Sequence, residues 1–184
     1  MGVVQDIRVR AHKKSLRQKL RQRVAPAGRQ SVNLKNAKQL GLLFDADHPD
    51  TRKTVLAYAE KLRKQGKQVR VLGYLRELQE GESLGFRSFT KKDLDWAYRP
   101  KGNEVSEFMN KEMDLLLHLS LQPSMPMAYI CALASAKLRV GPSSSDFTYA
   151  YDLMIDAPES AGLSAFIDQM ESLLGKTNTT HEPA

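Results

Sequence analysis

Three short runs dense in leucine and valine limit what this chain can fold into more than any other feature: QLGLLFD at 39–45, QVRVLGYL at 68–75 and MDLLLHLS at 113–120. Each is the length of a strand, and the runs are nearly continuous in apolar residues, the pattern of strands covered on both faces. Segments of helical spacing lie between them. From His48 to Gly66, Val55, Leu56, Ala59 and Leu62 fall on one side and Lys53, Glu60, Lys61, Arg63 and Lys64 on the other, and Gly66 supplies the stop. Such alternation predicts an α/β fold, a single open, mostly parallel sheet with helices on both faces, Rossmann-like in class.

The rest of the chain extends the pattern. Phe86 to Phe89 reads as a short strand, Lys91 to Lys101 as a loop carrying Trp96, Tyr98 and Pro100, and Asn103 to Glu112 as a short helix with Asn103 at its N-cap. Pro126 to Ala136 reads as an apolar helix with proline near its first turn. Leu138 to Gly141 and Tyr151 to Asp156 read as strands, and residues 161–174 as an amphipathic helix. The α/β domain is thus expected over 38–175, with a polar tail over 176–184.

Charge sets the first 37 residues apart from that domain. Residues 1–38 hold eleven Lys and Arg against one acid, Asp6, a net +10, whereas the remainder nets −3, so the chain's +7 belongs to the arm. Residues 5–24 have no helix breaker and predict a helix, with Ile7, Ala11, Leu16, Leu20 and Val24 as a thin apolar track. Arg10, Lys14, Arg17 and Arg21 recur at i, i+4, i+7 and i+11 and so share one side. Pro26 and Gly28 end the helix, and 25–37 reads as a linker. An arm of this kind suits RNA phosphates, with Arg10, Lys13, Lys14, Arg17, Arg21 and Arg23 as the contacts. An acidic protein or an anionic membrane surface would attract the same charges, although the track carries no Trp or Phe.

Composition closes off several classes. A single cysteine, Cys131 in an apolar run, gives neither a disulfide nor a cysteine-built metal site. No apolar stretch approaches the roughly 18 residues that span a bilayer, and the charged start lacks the apolar core of a secretory signal, so a cytoplasmic location is expected. The first strand runs into DADHPD, with three acids and no glycine where a dinucleotide site needs G-x-G-x-x-G. Neither a P-loop nor a G-x-S-x-G elbow occurs. No catalytic residue, cofactor or metal is therefore assigned.

Ligands of open parallel sheets bind beyond the carboxyl ends of the strands. The polar residues there are Asp45, Asp47 and His48, then His118 and Ser120, Gly141, and Asp156. Asp45, His118, Ser120, Gly141 and Asp156 are the candidate ligand residues. Their structural alternative is strand-end polarity, with Asp47 capping the next helix and His118 packed and hydrogen-bonded among leucines. The loop with Trp96 and Tyr98 beside Lys91, Lys92, Arg99 and Lys101 mixes base-stacking and phosphate-binding types, unless Trp96 plugs the core edge.

Taken in order, HKKSLRQKLRQR, KQLGLLFDA, FTKKDLDW, EMDLLLHLS, AKLRVG and YDLMID resemble a family of small Bacteroidota proteins of unknown function over about residues 10–175. The resemblance carries an F-x-x-x-D-x-x-W-like loop, here Phe89, Asp93 and Trp96. It implies the basic helix and the α/β domain but no activity. Over about 113–156, MDLLLHLS followed by an apolar helix and AKLRVG is similar to the N-terminal half of heptosyltransferase-like glycosyltransferases, which need two such domains. The expectation is a non-enzymatic accessory protein whose arm docks on RNA, with the ribosome as the first candidate, while the α/β domain meets a protein partner. A small-molecule or nucleotide-sugar site at the strand ends and peripheral membrane association are the alternatives.

Overall fold

The computed structural model describes residues 3–22, 32–78 and 83–176. A helix, α1 (Val3–Gln22), precedes a sheet of six parallel strands: β1 (Gln39–Asp45), β2 (Gln68–Leu75), β3 (Arg87–Thr90), β4 (Met113–Leu119), β5 (Ala136–Pro142) and β6 (Leu153–Ile155). The strand order is β3-β2-β1-β4-β5-β6, the doubly wound arrangement in which the chain reverses direction across the sheet between β1 and β4. The connecting helices are α2 (Pro49–Lys64), α3 (Asn103–Asn110), α4 (Met125–Leu133) and α5 (Gly162–Lys176).

Two cores follow from the side-chain alternation of the strands. Leu40, Leu42 and Phe44 of β1, with Leu115 and Leu117 of β4, pack against α2 and α5 through Val55, Leu62, Phe166 and Leu174. Leu43, Leu72 and Leu116 point the other way, onto α3 and α4 through Phe108, Met127 and Ile130. Cys131 lies wholly buried in this second core, and burial pushes its thiol well above its ordinary range, as befits a small apolar side chain. The helix α4 is buried nearly all round, because α1 forms a third layer on it, with Leu16 against Tyr129 and Ala132.

The bounds of β1 and β2 match the apolar runs to the residue. Smaller differences have local causes. The N-cap of α3 is Gly102, whose φ of 101° suits glycine, so Asn103 is the first helical residue rather than the cap. The apolar helix α4 ends at Leu133, and Ala136 already belongs to β5. At the other end of the chain order, β6 is only Leu153–Ile155.

Candidate nucleic-acid interface

One face of α1 is held by the domain and the other is free. On the inward face, Arg8, His12, Leu16 and Leu20 stand four residues apart and so form one line along the helix. His12 is fully buried. Its Nδ1 donates to the Ala97 carbonyl at 2.9 Å, and its ring meets that of Tyr129 edge-on at 5.1 Å. Burial is the main cause that pushes the His12 pKa below its ordinary 6.5; the bond to Ala97 partly opposes it and the Arg99 charge adds to it. Arg8 donates to the Trp96 carbonyl and lies over the Tyr98 ring, 3.9 Å from its centroid. Ser15 Oγ accepts from Arg99 at 3.1 Å.

The receiving surface is the loop after β3. Thr90 and Asp93 close a capping box around a short turn, with Thr90 N–H donating to Asp93 Oδ2 at 2.7 Å. Next, Asp95 Oδ1 accepts from Ala97 N and Arg99 N at 2.8 and 3.0 Å, and its Oδ2 from Arg99 Nε at 2.6 Å. Burial pushes the Asp95 carboxyl up, but these bonds outweigh it and hold the group below the usual carboxylate range. The braced loop keeps Tyr98 at φ 58°, an uncommon conformation for an aromatic residue, and presents its ring to Arg8. Trp96 is 58% exposed, so it does not plug the core edge. The basic helix and the aromatic loop are one assembly.

The outward face carries Arg10, Lys13, Lys14, Arg17 and Arg21, all exposed. Among the described residues none of these five has an ion-pair partner. Arg10 to Arg21 covers twelve residues, roughly 16 Å of helix from the first Cα to the last. Arg23 and Val24 lie outside the described residues. The expected apolar track is corrected in part: Leu16 is buried and Ala11 and Leu20 half-buried, but Ile7 is 53% exposed.

The strand-end residues do not form one site: His118 and Gly141 meet at the Tyr151 ring, whereas Asp156 stands apart on the edge strand. His118 is buried on the α3 and α4 side, and its Nδ1 shares a 2.6 Å hydrogen bond with the Tyr151 hydroxyl. Burial depresses its pKa to about 3, so it is neutral. Gly141 makes this possible, because a Cβ there would stand 2.3 Å from the Tyr151 ring. Ser120 Oγ donates to Gln122 O at 2.8 Å and accepts from Gln122 N. Asp45 Oδ1 accepts from Asp47 N at 3.0 Å, and its carboxyl is raised, chiefly by burial. Asp156 is exposed past β6, three strand positions from β1, roughly 14 Å at ordinary strand spacing. Among the described residues no group of three or more His, Cys, Asp and Glu could hold a metal ion. Clefts of about 870, 410 and 220 Å³ are lined by other residues.

Asp47 departs from the expected helix cap. His48 occupies the N-cap of α2 without a side-chain bond. The Asp47 carboxylate instead accepts from Arg76 N at 2.7 Å and pairs with the Arg76 guanidinium at 3.1 Å, tying the end of β1 to the end of β2.

Sequence reasoning missed Arg8, His12, Asp95, Tyr98 and Arg99 as the seat of the arm. The four-residue spacing of Arg8, His12, Leu16 and Leu20 was a usable signal. No described helix is long and apolar enough to cross a membrane. Comparison with known proteins adds that a family model of unknown function matches residues 8–176. No curated protein matches. Among solved structures, a family 9 glycosyl transferase from Veillonella parvula DSM 2008 is similar at 13% identity, with a TM-score of 0.47. The match covers 82% of this chain and 45% of that one, so this chain spans less than half of that relative's length.

Proposed function

The chain belongs to that family of unknown function, DUF6913, and on its own geometry we propose that it is a non-enzymatic RNA-docking protein whose α1 lies on the phosphate backbone. The observation that carries this reading is the two-sidedness of α1. His12 and Leu16 fix the helix to the domain, while Arg10, Lys13, Lys14, Arg17 and Arg21 face outward with no ion-pair partner among the described residues. Phosphates supply the missing partners, and a docked helix spends little conformational entropy on binding them. Ribosomal RNA is the partner we favour, in a cytoplasmic setting. The −3 charge of the remaining chain supports the same arrangement, since it leaves α1 and its flank as the part of the chain that attracts a polyanion.

The test is fluorescence anisotropy of a labelled ribosomal RNA fragment across a salt series, with the natural chain and with R10E/K14E/R17E/R21E. Loss of four phosphate contacts lowers the slope of log K against log salt by roughly 3. An unchanged slope removes the proposal. Flotation with anionic vesicles tests the membrane alternative on the same two proteins, and binding there without RNA affinity favours it. The side chains of Asp45, His118 and Ser120 are engaged by backbone and neighbours and Asp156 stands apart from them, so no observation favours a nucleotide-sugar site.

A further inference from the structure

The strand β3 pairs with only half of β2. Its partners are Leu72 to Leu75, which leaves Gln68 to Val71 without an outer strand among the described residues. On the inner side the whole of β2 from Gln68 to Tyr74 pairs with β1. Gln68 N–H donates to Lys38 O and Tyr74 O accepts from Ala46 N, both toward β1. Backbone alternation therefore turns the groups of Val69 and Val71 outward. Among the described residues neither N–H has a backbone acceptor outside the ladders, and the Val69 carbonyl is met by a side chain, Arg63 Nη2 at 3.1 Å. Unpaired strand edges are ordinarily covered or blunted because they template a further strand.

Among the described residues this edge faces a cleft of about 870 Å³ between α2 and α3. Its two sides differ in chemistry. Val69 and Val71 point to the α2 side, where Leu56 and Phe86 also line the cleft. Arg70 points the other way, toward α3, where Lys111 stands. Both are exposed, and both favour the ionised form of Glu107, after the larger effect of its bond from Arg87. Glu107 is already matched by Arg87, which also pairs with Glu104 at 3.3 Å. Arg70 and Lys111 have no ion-pair partner among the described residues.

We infer that the lower edge of β2 is a strand-addition site for an extended acidic peptide of a partner protein, apolar residues facing α2 and alternating with acidic residues facing Arg70 and Lys111. The peptide backbone accepts from the Val69 and Val71 N–H groups, and the period of two matches the two unlike walls. This surface is separate from the exposed face of α1, so the inference does not rest on RNA docking.

The probe is a fluorescein-labelled octapeptide of alternating valine and glutamate, titrated by anisotropy into the full chain. The comparison peptides are alternating valine and lysine, and a valine–glutamate peptide with ester linkages in its backbone, whose carbonyls are weaker acceptors for the Val69 and Val71 N–H groups. Binding by the first, at least tenfold weaker binding by the other two, and at least tenfold loss in R70E/K111E are expected. Slowed hydrogen exchange at the Val69 and Val71 amides should accompany binding, and R10E/K14E/R17E/R21E should bind the peptide unchanged. Equal affinity for the lysine peptide, or an R70E/K111E variant that circular dichroism shows folded and that binds normally, overturns the inference. Protection of the same two amides by an oligouridylate instead of the peptide also overturns it, in favour of nucleic acid. If no peptide binds and R70V/K111V self-associates, the two cations serve only to repel other copies.

Discussion

His12 is buried in the seam between α1 and the domain, and among the described residues only its Nδ1 has a partner. Its docked pKa lies below the 6.5 of a free histidine. The sign follows: the undocked arm takes up a proton more readily than the docked one, so docking is strongest above about pH 6.5 and weakens as pH falls through the lowered value. Trp96 is the chain's single tryptophan and its carbonyl holds Arg8, so its fluorescence reports the seam. The emission should shift on acidification in the natural chain and hold steady over the same range in H12Q, which keeps a donor for the Ala97 carbonyl but does not titrate. A transition that persists in H12Q assigns it to another group. A second residue-scale prediction concerns Gly141, Tyr151 and His118. G141A forces the Tyr151 ring aside and costs about 1–3 kcal/mol, and Y151F strips the His118 Nδ1 of its partner for about 1–3 kcal/mol. Because the methyl acts through the ring that makes the bond, urea unfolding of the double variant should show less than the sum of the two. Full additivity means that the bond survives the added methyl.

Among the elements, α1 is seated chiefly through Leu16, which is buried with Tyr129 and Ala132 while Leu20 packs beside them. Truncation by L16A should weaken docking by about 2 kcal/mol, the low end for a buried leucine, and speed hydrogen exchange of the α1 amides roughly 30-fold through local opening. The amides of β1 and β4, deep in the two cores, should keep their protection; their simultaneous loss would make α1 part of the global unfolding unit. What could be read in advance also sorts by element. The bounds of β1 were legible because a strand covered on both faces needs unbroken apolar residues, and those of β2 because Val69, Val71 and Leu72 keep its run apolar on both sides of the exposed Arg70. The outward stripe of α1 was legible because four cations at helical spacing leave no other arrangement. Its inward face was not: the acceptors for Arg8 and His12 are the carbonyls of Trp96 and Ala97, and backbone carbonyls carry no residue signature. Asp47 misled for a related reason, since a carboxylate between a strand and a helix can serve either, and here β2 takes it. The free edge of β2 was invisible because it depends on how far a strand twelve residues downstream extends alongside it.

The molecule as a whole divides its labour by charge and by layer. Ten net positive charges sit in residues 1–38, on and just beyond a helix that forms the outermost layer, over a chain that otherwise nets −3. A basic segment that folds only on its target would enter the complex disordered and would bury its own helix-packing surface at that moment, with the heat-capacity change of coupled folding. Here α1 is already helical and its inward side already covered by Tyr129, Ala132 and the 95–99 loop. RNA binding should therefore leave far-ultraviolet circular dichroism unchanged, with the amides of residues 8–20 protected from exchange before RNA is added and only the salt-dependent electrostatic component visible in affinity. Calorimetry should return a heat-capacity change small against that of a segment folding as it binds. A large negative value together with a gain of helix signal would mean that the docked arrangement is one of two states and that RNA selects it. L16A, which loosens the seam without touching the outward cations, would then lower RNA affinity, whereas a preformed α1 predicts that it leaves affinity nearly unchanged.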